Sequence, residues 1–262
     1  MPVLQILVLS EDGSDHAHEV VVALAKSMLK IVDPAVQTQR ERLRFSEERG
    51  EARRAVRANL WRSTSEDDEP FIRALLRAIV RQLLIVDDEG RRSGFVFLHY
   101  DGDETFSNRE RSDASRHFAE LRLKVEQQVR AKGVMGDEAI RRTMSGFIAI
   151  TPFYCIEAWT YQHTEAARKI CVRGCGKHSK LFEAWKNDRG ALDEIAKLWD
   201  PEELDCCLGK ENNVALVGPR YPAMEVWLAG KSFYETVDRM GDCLDLVEML
   251  TQTYASSSSR GA

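Results

Sequence analysis

The sequence predicts an α/β fold on a parallel sheet, and three apolar runs carry that prediction. Val3–Leu9, Gly94–His99 and Gly146–Thr151 are short and rich in β-branched or aromatic residues. Each gives way to a polar or proline-bearing turn and then to a segment of helical periodicity. Strands that alternate with helices imply parallel pairing, because each return to the same edge of a sheet needs a crossover.

The first run breaks at Ser10-Glu11-Asp12-Gly13-Ser14-Asp15, and a helix is expected from about His16 to Ile31. Glu11, at the strand end, is a candidate metal ligand or general base, while Asp15 suits either a ligand or the N-terminal cap of the helix. His16 and His18 have ligand chemistry, but a solvated role near a helix start serves them equally. Val36–Phe45 alternates weakly and is basic, as an exposed second strand would be. Arg49, Arg53, Arg54, Arg57 and Arg62 surround Trp61 at helical spacing, interleaved with Glu47, Glu48 and Glu51. They form either a solvated helix face or a phosphate-contacting patch. Ser65–Pro70 is acidic punctuation suited to the start of a helix over Phe71–Ile85, and Asp87–Arg92 turns into the next strand.

That strand, Gly94–His99, stops at Asp101-Gly102-Asp103. Carboxylates two apart at a strand's C-terminal end project to one side and can share a hard cation; the plainer alternative is an Asp-Gly turn. A helix is expected over Ser112–Lys132, then the strand stopped by Pro152, then the first turns of a helix through Phe153–Trp159. Glu157 lies there among Ile156, Ala158 and Trp159, an apolar setting in which an acid needs a partner or a metal. If Glu157 merely anchored its helix, Arg168 or Lys169 would be its partner.

Composition narrows the function. The chain has 262 residues, 44% hydrophobic and 30% charged, with a net charge of -5. That is ample length for a core and the wrong sign for coating nucleic acid by bulk charge. No apolar run approaches the roughly 20 residues of a membrane span, and a cytoplasmic location is expected. Most of the cysteines fall in the C-terminal part, where Cys171, Cys175 and His178 share one loop and the Cys206-Cys207 pair offers a fourth ligand. Cys171, Cys175, His178 and Cys206 are the candidate zinc set, against ordinary reduced thiols. Lys231, in Ala229-Gly230-Lys231-Ser232, is a candidate phosphate-side base or an ordinary surface lysine. Asn212–Pro219 reads as a short strand or a loop.

Glu11 after the first strand, Asp101-Gly102-Asp103 after a later one, and Pro152 with Ile156-Glu157-Ala158-Trp159 after the next together resemble the TOPRIM fold. The nearest variant is that of the RloB-like and OLD-type nucleases of bacterial defence systems. The resemblance spans roughly residues 1–165, with a helical insertion at about 46–93. A mainly helical region over 166–255 and a disordered tail at 256–262 complete the expected organisation. It implies an Mg2+- or Mn2+-dependent endonuclease acting on DNA or RNA, the effector of an antiviral defence system. Glu11, Asp101, Asp103 and Glu157 would form its acidic site, with Lys231 beside them and Asp15 as an additional metal ligand. Because the sequence has no Walker motif, the resemblance also allows for an ATPase partner subunit, and for self-association. Two alternatives stand beside it. One is a non-catalytic TOPRIM-like subunit that binds nucleic acid or a partner. The other is a haloacid-dehalogenase-like phosphatase, which Asp101-Gly102-Asp103-Glu104-Thr105 and Gly241–Asp245 also suggest. Against the latter, Tyr234–Met240 reads as helix where a strand is required.

Overall fold

The computed structural model describes residues 3–12, 16–38, 43–102, 113–193 and 207–258. Asp15, Asp103 and Cys206 lie outside these described residues. Four strands, β1 (Leu4–Ser10), β2 (Leu43–Glu47), β3 (Gly94–His99) and β4 (Phe147–Ile150), form one sheet in the order β2-β1-β3-β4. Every pairing is parallel. Ser10 lies beside His99 and His99 beside Ile150, so β1, β3 and β4 end at the same level. The residues just beyond those ends therefore share one edge, where open α/β sheets place their ligands.

Side-chain alternation assigns the two faces. Ile6, Val8, Phe95, Phe97, Ile148 and Ile150 point into one core, and Leu7, Leu9, Val96, Leu98, Phe147 and Ala149 into the other. The first core is covered by α1 (Ala17–Val32) and by three C-terminal helices, α11 (Ala223–Ala229), α12 (Lys231–Gly241) and α13 (Leu244–Ser258). The second is covered by α2 (Gly50–Arg57), α3 (Glu69–Leu83), α4 (Ala114–Ala131) and α5 (Asp137–Ser145). A burial of both faces explains why β3 and β4 are apolar throughout.

Between β4 and α11 lie α6 (Glu157–Thr160), α7 (Thr164–Arg173), α8 (Ser179–Asn187), α9 (Arg189–Asp193) and α10 (Asn213–Leu216). Tyr161, Phe182, Trp185, Leu192 and Leu216 give this region a small core of its own. The C-terminal region is thus split: α7–α10 build a satellite, while α11–α13 join the core of the sheet, where Phe233, Val237 and Met240 pack with Val8 and Phe97.

Three local readings need correction. Pro34–Thr38 is a 3-10 turn where a strand was expected, and β2 over Leu43–Glu47 has the half-buried alternation of an edge strand. The stretch after Asn212 folds as the short helix α10 and not as a strand, because Asn213 and Leu216 are drawn into buried contacts one turn apart. Helix α13 runs on to Ser258, three residues into the expected tail, while residues 259–262 lie outside the described ones. Lys231–Gly241 is helical, as its periodicity requires.

Candidate functional site

Glu11 stands one residue past β1, where its amide N–H donates to the His99 carbonyl (3.1 Å) and extends the strand ladder by one step. Its carboxylate is bridged. Oε1 accepts the Asp101 amide at 2.6 Å and Oε2 accepts the Arg62 guanidinium at 2.6 Å. Burial dominates its titration and, against the opposing influence of Arg62 and His99, lifts its pKa to about 7.

Asp101 is fixed from two sides. Its Oδ1 accepts the Ile156 amide at 3.1 Å, from the chain that follows β4. The same oxygen lies 3.4 Å from Nε2 of His99, a fully buried imidazole whose Nδ1 meets the Ser10 hydroxyl at 3.0 Å. Burial opposes protonation of His99, but Asp101, Glu11 and Asp12 outweigh it and hold the ring above the usual histidine range. Gly102 is required by packing: its amide donates to the Pro152 carbonyl at 3.2 Å, and a Cβ there would lie 2.4 Å from the Phe153 carbonyl oxygen. The glycine between the acids therefore lets the chain leaving β3 lie against the chain leaving β4.

Glu157 opens α6 and is fully buried. Oε1 accepts Nδ2 of Asn213 at 3.1 Å and lies 3.9 Å from Nζ of Lys210. Oε2 has no hydrogen-bond partner among the described residues. Burial first, and the charge of Asp101 second, raise its pKa, with Lys210 and Asn213 working against them. The adjacent Cys155 thiol is pushed well above the thiol range by burial and by the same two carboxylates. Lys210 answers in kind: burial disfavours its charge, yet Glu157, Asp12 and Asp101 together raise its pKa.

The fold thus brings Glu11, Asp101 and Glu157 to one edge, while Asp15 and Asp103 fall outside the described residues. Lys231 is exposed at the start of α12, where the neighbouring Ser232 bonds Asp193 through its amide (2.9 Å) and hydroxyl (2.6 Å). The lysine that approaches the acids is Lys210, and Glu157 pairs with it and Asn213 rather than with Arg168 or Lys169. Of the arginine series, Arg53 and Arg57 pair with Glu47, Arg54 lies over Phe71, and Arg62 holds Glu11. These four arginines are engaged within the protein. A surface groove of about 700 Å³ between α2, α3 and α4 includes none of the three acids in its lining.

Sequence reasoning passed over His99, Lys210 and Asn213 and gave Arg62 no individual role. A histidine ending an otherwise apolar strand is a readable signal; nothing local marks Lys210 or Asn213, which arrive from a distant segment.

A second cluster joins the end of α7, the following loop and the start of the 207–216 segment. Sγ of Cys171 and Cys175 are 3.9 Å apart, and Nδ1 of His178 lies 3.3 Å from Cys175 Sγ and 3.4 Å from Cys207 Sγ. The fourth member is Cys207, one residue beyond the expected Cys206. Among the described residues, this is the group of ligand atoms near enough to one another to share an ion as they stand. Burial raises the Cys175 pKa, but the amides of Lys177 and Cys207 and the side chains of Cys207 and His178 bring it down to about 6.

No family description, curated protein or solved structure matches this chain.

Proposed function

We propose that this chain is a metal-dependent phosphodiesterase of TOPRIM-like organisation that cleaves DNA or RNA at the C-terminal edge of its sheet. The observation that carries the reading is Glu157: a wholly buried carboxylate, one oxygen unpartnered among the described residues, electrostatically coupled to Asp101. With Lys210 3.9 Å away, a carboxylate so buried still gains from further positive charge when it ionises. Glu11, Asp101 and Glu157 are hard oxygen donors suited to Mg2+ or Mn2+, with Asp103 and Asp15 as further donors. Such an ion supplies neutralisation of phosphate charge and a bound water of lowered pKa.

The chain's own groups have separable duties. Arg62 holds Glu11 in place and contributes positive charge at the edge where a phosphate would dock. His99, braced by Ser10, and the Ile156 amide fix the rotamer of Asp101. Lys210 and Asn213 restrain Glu157 and reduce its repulsion with Asp101.

One observation favours the second reading, a non-catalytic subunit that binds nucleic acid or a partner: both oxygens of Glu11 already have protein partners, as in a purely structural bridge. Cleavage assays on single- and double-stranded DNA and RNA, with Mn2+ or with excess chelator, separate the two. Metal-dependent cleavage lost in Asp101→Ala supports the enzyme. Cleavage that survives Asp101→Ala and Glu11→Ala, or persists in chelator, overturns it. Binding of nucleic acid without cleavage favours the subunit.

A further inference from the structure

We infer that Cys171, Cys175, His178 and Cys207 bind a structural zinc ion, and that this ion fixes the segment carrying Lys210 and Asn213 against Glu157. A tetrahedral ion with Zn–S near 2.3 Å and Zn–N near 2.05 Å requires S···S edges of about 3.8 Å and S···N edges of about 3.6 Å. The observed edges are 3.9 Å between the Cys171 and Cys175 sulfurs, and 3.3 and 3.4 Å from His178 Nδ1 to Cys175 and Cys207. All four ligand atoms lie within 4.8 Å of one another.

The surroundings are those of a metal-binding turn. The His178 amide donates to Cys171 Sγ at 3.3 Å, the kind of outer contact that holds a thiolate ligand in orientation. Gly176 takes φ +68°, and its amide closes the turn onto the Cys171 carbonyl at 2.7 Å. Three soft thiolates and one imidazole select zinc over hard cations, and four protein ligands leave no open position for chemistry. A disulfide does not account for the pair Cys171 and Cys175, whose separation is far beyond the S–S bond length of about 2.05 Å.

The ion's reach follows from what Cys207 is attached to. Its carbonyl accepts Tyr161 Oη at 2.8 Å and Asn212 Nδ2 at 3.0 Å, so the start of the segment is held by the satellite core. Lys210 and Asn213 follow directly and engage Glu157. The zinc assignment does not depend on the chemistry proposed for the acidic edge.

The test uses the full chain, purified reduced and without chelator. Elemental analysis should return one zinc per chain. Cys171→Ser and Cys207→Ser should lose it and Cys206→Ser should keep it. Cobalt added to the metal-free wild type should give sulfur-to-cobalt charge-transfer and tetrahedral ligand-field absorption, a readout that does not depend on any variant folding. A wild-type chain that holds no zinc and gives no cobalt–thiolate bands overturns the site, as does iron in its place. Zinc retained in Cys207→Ser overturns the fourth ligand. Hydrogen exchange completes the test: removal of zinc should accelerate exchange over residues 207–216 and 157–161, and unchanged exchange there overturns the link to Glu157.

Discussion

The acidic edge and the cysteine–histidine cluster are both polar groups gathered inside protein, but they are assembled in opposite ways. Glu11, Asp101 and Glu157 come from widely separated parts of the chain and meet because parallel register aligns the ends of β1, β3 and β4. Cys171, Cys175 and His178 come from one helix end and its loop, with only Cys207 brought from afar. The first arrangement is set by a packed sheet and tolerates like charges beside a Glu157 oxygen that has no hydrogen-bond partner among the described residues. The second sits on a small satellite core, which the zinc ion inferred above would stiffen. The two meet in one segment, since the residues after Cys207 supply the partners of Glu157.

The largest effects are expected at the acids. Asp101→Ala and Glu11→Ala should each lower metal-dependent cleavage by more than about a hundredfold, beyond what loss of an outer contact costs. Circular dichroism should show both folded, because the residues sit past the strand ends and belong to neither apolar core of the sheet. If cleavage falls only because the chain unfolds, the acidic edge is structural in the same sense as the cysteine cluster.

Next in size is the cluster itself. Losing one ligand from a structural zinc site should cost on the order of 3 kcal/mol, or roughly 10 °C in melting temperature for a chain of this length. Cys171→Ser should show this loss, and α7 and α8 should lose hydrogen-exchange protection before the sheet does.

The pH dependence of metal-free stability should then distinguish the edge from the cluster. A carboxyl raised from 4.5 to about 7 binds more protons folded than unfolded within that window. Stability therefore falls as pH rises from about 4.5 to 7, by at most about 3 kcal/mol for Glu11. Glu157 and His99 are shifted upward too and act in the same direction, His99 losing its contribution as pH rises through its folded pKa. Chemical denaturation should show this decline in the wild type, a shallower one in Glu11→Gln, and its reversal by added Mn2+.

The smallest expected effect is at the junction. Lys210 is half exposed and 3.9 Å from Glu157, so Lys210→Met should weaken or strengthen Mn2+ binding by no more than about fivefold. A larger change would mean that the segment, and not merely its charge, had moved.

Much of this molecule was legible in one dimension. The runs of β1, β3 and β4, helices α1, α3 and α4, and the position of Glu11, Asp101 and Glu157 just past strand ends all follow from local periodicity and its breaks. The boundaries of β2 and the helical state of α10 did not, because both segments are short, and burial against neighbours decides them more than their own pattern does.

Local pattern therefore determined most of the elements and the places of Glu11, Asp101 and Glu157 beyond strand ends, since those depend on side chains a few positions apart. Tertiary structure alone decided who meets whom. Strand order placed β1 between β2 and β3, and packing sent Arg62 to Glu11, left Lys231 in solvent and brought Lys210 to Glu157. It also turned Cys207 toward His178, a contact between distant segments that carries no local signal. Such choices rest on contacts between segments far apart in the chain, whose register is set by the burial of whole faces and not by any single motif.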